Sequence, residues 1–318
     1  MTSKLEQLKT LSIVVADSGN IEAIARFKPR DCTTNPSLIL QAASMPQYAH
    51  IVQESLEWAT KAGKPLEAAL DKLTVRFGAE LTRLVPGDVS TEVDARLSFD
   101  SDAMVNKALE LLELYKEEGV GKERILIKLA STWEGVQAAR VLEAQGVRCN
   151  LTLVFSLEQA VACAQAGAFL ISPFVGRITD WYKKARGVDG FTIPEDPGVQ
   201  SLREIYAHFK AHGYKTVVMG ASFRSAAQVE ALAGCDRLTV SPALLGELET
   251  DNGPLERALV AEVGQQVEAT LSEKDFRWAL TENTMAGEKL SEGIRQFNAD
   301  SVKLRALLET LSKAPVAG

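Results

Sequence analysis

The chain runs to 318 residues, 46% hydrophobic and 24% charged, with a formal net charge of −7. That is the composition of an ordinary soluble globular protein, and its acid excess and lack of a dense basic patch exclude a broad nucleic-acid surface. No apolar run approaches the roughly 18 residues of a membrane span, so no transmembrane helix is expected.

The start, Met1-Thr-Ser-Lys-Leu-Glu-Gln-Leu8, is polar and amphipathic and lacks a signal-peptide core. Ser12–Ala16 reads as a first strand, ending in the turn and helix-start signal Asp17-Ser-Gly-Asn20. Arg30–Thr34 reads as the second and leads into Asn35-Pro36-Ser37, where Pro36 and a capping Ser37 are expected to open a helix. A helical zone continues to about Leu84, broken near Gly63-Lys-Pro65. Asp88–Val93 is the third strand, followed by a charged amphipathic helix from about Asp102 to Glu118, and Arg124–Ala130 is the fourth. Val147–Phe155, Ala168–Phe174, Lys215–Met219 and Asp236–Val240 follow as the fifth to eighth. Helical patterns such as Glu134–Ala144, Leu157–Ala166, Val199–His212 and Ala226–Leu232 separate them.

Strand alternating with helix, eight times over, predicts an α/β fold: a closed (β/α)8 TIM-type barrel. An open doubly wound sheet is the coarse alternative, but no GxGxxG follows the first strand. Asp251–Leu271 is polar and Gly-containing and reads as an irregular excursion. Lys274–Leu311 reads as helical, so residues from about 272 to 312 are expected to pack on the barrel as a C-terminal appendage. No Gly, Pro or Ser linker divides the chain, and 1–318 is read as one domain.

Cys32, Cys149, Cys163 and Cys235 form no Cys-x-x-Cys pair; buried free thiols in a reducing cytoplasm explain them better than disulfides or zinc ligands. His208 and His212 are four apart in a helical pattern, without the carboxylate of a His-Glu-x-x-His motif, and read with His50 as solvated surface. No metal and no cofactor is expected. Acid–base chemistry on this chain must then use carboxylates, lysine and hydroxyls.

In Arg124-Ile-Leu-Ile-Lys-Leu-Ala-Ser131, Ile125, Ile127 and Leu129 share one face of a strand, while Leu126, Lys128 and Ala130 share the other. If the aliphatic face meets helices, the Lys128 ammonium points into the barrel. Desolvation is costly for that charge and eases access to the neutral amine, a nucleophile toward carbonyls. The ordinary alternative is an edge-strand lysine whose head snorkels to water.

Active sites of such barrels lie at the C-terminal strand ends. The predicted strand ends carry Asp17; Thr33, Thr34 and Asn35; Glu92 and Asp94; Lys128; Asn150 and Thr152; Ser172, with Arg177 beyond; and Ser222 and Arg224. Each alone has a structural reading, Asp17 as a cap, Asn35 as a turn residue and Glu92 in an ion pair with Arg96. Together they supply an amine, two carboxylates, neutral hydrogen-bonding groups for a polyhydroxylated substrate, and two guanidinium groups suited to phosphate.

Val15-Ala-Asp-Ser18, Thr33-Thr-Asn-Pro-Ser-Leu38, Ser90-Thr-Glu-Val-Asp-Ala-Arg96 and Ile125–Gly135 resemble transaldolase motifs, as do Cys149–Leu153, Ile171–Arg177 and Val218–Arg224. The resemblance implies a cytoplasmic, cofactor-free class I transaldolase of the pentose phosphate pathway, and a homodimer. Such enzymes move a dihydroxyacetone unit from sedoheptulose 7-phosphate to glyceraldehyde 3-phosphate, giving erythrose 4-phosphate and fructose 6-phosphate. By this resemblance Lys128 forms the Schiff base, Asp17 serves carbon–carbon cleavage, and Glu92 works through a water held by Thr152. Asn35, Asn150 and Ser172 hold substrate hydroxyls, Phe174 matches the transferase pattern, and Arg177, Ser222 and Arg224 hold the phosphate. Segments Lys183–Pro194 and Asp251–Leu271 depart from the family pattern. Two alternatives stay open: an aldolase of the same superfamily that releases free dihydroxyacetone from fructose 6-phosphate, and a non-catalytic barrel that binds a sugar phosphate.

Overall fold

A computed structural model describes residues 2–260 and 263–313. Eight parallel strands close into a barrel in sequence order, with β8 hydrogen-bonded back to β1. They are β1 (Ile13–Asp17), β2 (Asp31–Thr33), β3 (Val89–Glu92), β4 (Ile125–Ala130), β5 (Cys149–Val154), β6 (Leu170–Pro173), β7 (Val217–Gly220) and β8 (Arg237–Val240). All eight expected strands are present, with ends displaced by no more than two residues. The alternation in β4 holds. Ile125, Ile127 and Leu129 join the core between strands and helices, whereas Leu126 packs inside the barrel with Val15, Leu170 and Met219.

Helix starts follow local capping chemistry. Thr132, Ser156 and Ser225 accept hydrogen bonds from Gly135, Gln159 and Gln228, opening the helices after β4, β5 and β7. The expected Ser37 cap is corrected: Asn35 caps helix Pro36–Ala43 by accepting from Leu38 N at 3.0 Å. Pro36 occupies the first helical position, so the cap must stand one residue before it, and Ser37 instead donates to Asp300.

β5 breaks the alternation. Leu153 is left-handed, with φ +59°, at a register shift between β5 and β6. Leu153 therefore turns toward the C-terminal helices and joins Phe155, Phe174 and Phe297, while Val154 enters the strand–helix core. Gln159 holds the bulge, donating to Leu153 O at 3.1 Å and accepting from Phe155 N at 2.8 Å.

At the opposite end of the barrel, buried Arg237 of β8 donates to Asp31 at 2.7 Å and to Asp88 at 3.1 Å, and Arg148 pairs with Asp88 at 2.7 Å. This network pairs the buried charges that close that end, and leaves Arg237 Nε without a hydrogen-bond partner.

The described part of the 251–271 excursion begins where helix Pro242–Thr250 ends and carries no helix or strand before Glu273; 261 and 262 lie outside the described residues. The helical appendage consists of Glu273–Glu282 and Thr284–Lys313. The longer helix lies against Pro36–Ala43 and puts Phe297 at the C-terminal mouth of the barrel. All four cysteines are buried and free, as expected. The two helical histidines are corrected: their rings stack 3.9 Å apart, part-buried, and Glu268 of the excursion brings the carboxylate that their local sequence lacks. Among the described residues no helix is long and apolar enough to cross a membrane.

Candidate active site

The sheet register assembles the site. Glu92 is paired with Lys128, Lys128 with Asn150, Ala130 with Thr152, and Asp17 with Thr33. Registered neighbours in a parallel sheet point to the same face, so these side chains stand side by side inside the barrel. Lys128 is 4% exposed. Its Nζ lies 3.3 Å from Glu92 Oε2, donates to Thr34 O at 3.3 Å, and sits 5.7 Å from the centre of the Phe297 ring. The snorkelling alternative is thus replaced by a buried amine with one carboxylate partner. The Glu92–Arg96 pair is replaced too, because Arg96 forks onto Asp94 at 2.6–3.1 Å.

Burial pushes both functional carboxyls above their ordinary range. For Glu92 the rise is opposed chiefly by the Lys128 charge; for Asp17 it is opposed by Lys128, then by the Thr33 hydroxyl and Arg177. Thr33 donates to Asp17 Oδ1 at 2.9 Å and is 2.8 Å from Thr239 Oγ1. Carboxyls that titrate closer to neutrality can both give and take protons during turnover. Glu92 Oε2 is within ion-pair distance of Lys128 but outside hydrogen-bonding geometry, and it and Thr152 Oγ1 are buried without a hydrogen-bond partner.

The balance at Glu92 can be tested. Lys128→Met removes the largest opposing charge and leaves desolvation, so the Glu92 titration should move further up. The carboxyl infrared band, identified by subtracting Glu92→Gln in the same background, reads that shift. A downward move would mean that burial is not the dominant cause.

Asn150 is fully buried and fixed at both ends. Its Nδ2 donates to Ser90 Oγ at 3.1 Å, and its Oδ1 accepts from Ser172 Oγ at 2.7 Å. Asn35 spends its carbonyl oxygen on the helix cap, which leaves its amide NH2 as the group free for a ligand.

The cationic end is built on the segments after β6 and β7. Phe174 precedes helix Val175–Arg186 and forms a parallel bridge with Ala221, while Gly176 N donates to Ser222 O at 2.8 Å. A Cβ on Gly176 would lie 2.1 Å from that oxygen, so only glycine allows the approach. Ser222 is left-handed, with φ +61°, a strained geometry for a non-glycine residue and a common mark of a ligand-binding turn. Gln228 steadies the turn by accepting from Arg224 N at 2.7 Å, and it donates in turn to buried Asp196 at 2.8 Å.

Arg177 lies over the rings of Phe174 and Phe297, at 4.9 and 5.6 Å. Burial and then the positive charge of Arg224 hold its pKa below the ordinary value. Two guanidinium groups opposing each other across a pocket are an anion site, since a phosphate relieves their repulsion. Arg224 is half exposed and shares its charge with Asp180 at 2.9 Å.

A cavity of about 280 Å³ joins these parts, lined by Asp17, Asn35, Lys128, Ser172, Phe174, Arg177, Ser222 and Arg224. Glu92 opens instead onto an adjoining cavity of about 200 Å³, which shares Asn35. Asn150 and Thr152 are fully buried and line neither cavity. All the expected site residues are therefore gathered at one end of the barrel, in two tiers. Phe297, Ser90, Thr239 and Gln228 were not foreseen. Ser90, two residues before Glu92 on the same strand face, and Gln228, four residues after Arg224, lie close in sequence to expected site residues; Phe297 and Thr239 arrive from distant segments.

The family model described as Transaldolase/Fructose-6-phosphate aldolase matches residues 14–308. A protein named transaldolase from Agrobacterium fabrum is 58% identical over 313 residues, covering 97% of each chain. Transaldolases from Methylobacillus flagellatus and Shewanella woodyi are 56% and 54% identical over 98% and 97% of this chain, and over 100% and 98% of their own.

Proposed function

The chain belongs to the transaldolase/fructose-6-phosphate aldolase family, and on that premise we propose a transaldolase working through a Schiff base on Lys128. The observation that carries the mechanism is the 4%-exposed Lys128 amine, inside a barrel, between Glu92, whose pKa burial raises, and the cavity that holds Asp17.

The neutral amine adds to the ketone carbon of a sugar phosphate. Glu92, through a water bridged to Thr152, moves the protons that expel the ketone oxygen as water. The two unpartnered oxygens support this role, because buried polar atoms of that kind normally find a water. Asp17 then takes the proton of the β-hydroxyl, the α–β carbon bond breaks, and the aldehyde leaves. Its electron pair remains with the iminium as an enamine, and addition to the acceptor aldehyde reverses these steps. Asn35, Asn150 and Ser172 orient hydroxyls, with Asn150 acting at the cavity floor through the Ser172 hydroxyl it anchors. Arg177, Ser222 and Arg224 take the phosphate.

On the family reading, the donor is sedoheptulose 7-phosphate and the acceptor glyceraldehyde 3-phosphate, in the pentose phosphate pathway of the cytoplasm. The protein is taken as a single domain, 1–318, that forms a homodimer. Borohydride trapping with fructose 6-phosphate, followed by peptide mass mapping, tests the proposal: a three-carbon adduct on Lys128 is expected. An unlabelled Lys128 would overturn it. Free dihydroxyacetone produced at full rate without an acceptor would make the enzyme an aldolase.

Arg177→Ala should weaken phosphorylated substrates by about 1.5–3 kcal/mol, or one to two decades of affinity. Arg224→Ala should cost less, because Arg224 is half exposed and already paired with Asp180. Equal losses with donors that carry no phosphate would remove both arginines from the phosphate site.

A further inference from the structure

The helix Pro197–Ala211 ends at the face of the barrel opposite the active site, just ahead of β7, and there His208 and His212 meet Glu268. We propose that these three residues form a binding site for a divalent transition-metal ion of the zinc class. One nitrogen from each histidine and one oxygen of Glu268 lie within 4.8 Å of one another. His208 Nε2 and Glu268 Oε1 are 3.2 Å apart. Two ligands on one tetrahedral zinc, each about 2.0–2.1 Å from the metal, stand roughly 3.3 Å apart, so this pair already has the required spacing.

The surroundings of the ligands are those of a metal site. His212 Nδ1 is 2.9 Å from the carbonyl of His208, so it must carry the proton, which leaves the lone pair of Nε2 outward. Metal-binding histidines characteristically spend their other N–H on such a carbonyl, and metal-binding carboxylates are themselves hydrogen-bonded. Tyr214 donates to Glu268 Oε1 and is itself a donor target of Gln165 at 3.3 Å. Each ligand except His208 is thus oriented by a second group. The three residues are part-buried, which leaves a path for an ion and a fourth position for water. Two imidazoles and one carboxylate, with no sulfur, suit Zn(II), Co(II), Ni(II) or Cu(II) and not magnesium or calcium. Binding must displace the proton that His208 Nε2 now shares with Glu268.

The ion would tie the excursion to the barrel. Around Glu268 the excursion is held by Gly264 N and Gln266 N to the carbonyls of Lys210 and Ala211, and by Gln165 to Ala269 O and Leu271 N. A metal on Glu268 crosslinks this segment to the end of the helix, without reaching Lys128.

The experiment uses the full chain, stripped with chelator and titrated with Zn(II) in competition with a chromophoric chelator. One ion per chain, bound tighter than about 10 µM, is expected. His212→Gln and Glu268→Gln should each weaken binding by about 100-fold or more, and Tyr214→Phe by about 10–100-fold. Transaldol turnover should stay within about twofold in all three, which also shows that they fold. Co(II) loaded on the unmutated chain should give visible d–d bands without a thiolate charge-transfer band, which excludes the four cysteines and needs no variant. No stoichiometric binding, a thiolate band, or affinity unchanged in both ligand variants would overturn the site.

Discussion

Lys128→Arg is expected to abolish transfer of the three-carbon unit while the protein stays folded. Arginine keeps the positive charge that Glu92 faces at 3.3 Å, so the buried carboxylate is not left unpaired. It cannot shed that charge, and a guanidinium is not a nucleophile toward a ketone. Turnover should fall by about 10⁴-fold or more, the scale seen when a covalent nucleophile is removed. Borohydride with fructose 6-phosphate should leave no adduct at position 128, and far-ultraviolet circular dichroism should match the unmutated chain. Turnover at more than a small fraction of the original would place the nucleophile elsewhere, because among the described residues no other lysine lines the cavity with Asp17.

The second large effect separates the two carboxyls. They come from different strands, Asp17 at the end of β1 and Glu92 at the end of β3, and they face different spaces. Asp17 lines the cavity that holds the arginines, while Glu92 lines the adjoining one beside Lys128. Each can therefore reach a different atom of a substrate tethered to the lysine. Removing a positioned acid–base group costs about 10²–10⁴-fold in rate, so both alanine variants should be slow. With fructose 6-phosphate, Asp17→Ala should form the imine and stall before cleavage, so that borohydride traps the whole six-carbon adduct. Glu92→Ala should accumulate little imine of any length in the early time course. A three-carbon adduct formed at normal speed in Asp17→Ala would return that carboxyl to a structural role, as an acceptor for Thr33.

Both expectations depend on the position of Phe297. Its ring lies between Lys128 and Arg177, within 6 Å of each cation, on a helix that begins more than 150 residues after the lysine. By covering the amine, the ring keeps water from it and strengthens its pairing with Glu92. Nothing in the local sequence around Phe297 marks it for this place. It reads as one apolar position in an amphipathic helix, and only the packing of that helix across the barrel mouth brings it to the lysine.

The same division runs through the molecule. Strand alternation is a local property, so the apolar run Ile125–Ala130 by itself determined which face of β4 carries Lys128. The eightfold alternation of strands and helices determined the barrel, and the barrel determined that strand-end polar residues would converge. Register, bulges and long-range pairing were decided only by the tertiary structure. The pairing of Glu92 with Lys128 in place of Arg96 depends on how β3 lies against β4, and the turn of Leu153 depends on a shift between β5 and β6. The cap moved from Ser37 to Asn35 because Pro36 fixes where the helix begins and a distant Asp300 takes the serine hydroxyl. His208 and His212 read as solvated surface because their partner Glu268 comes from a segment with no periodicity to place it. Side-chain direction along a strand or helix is set by backbone geometry within a few residues, whereas a partner sixty or more residues away is set by closing the chain on itself.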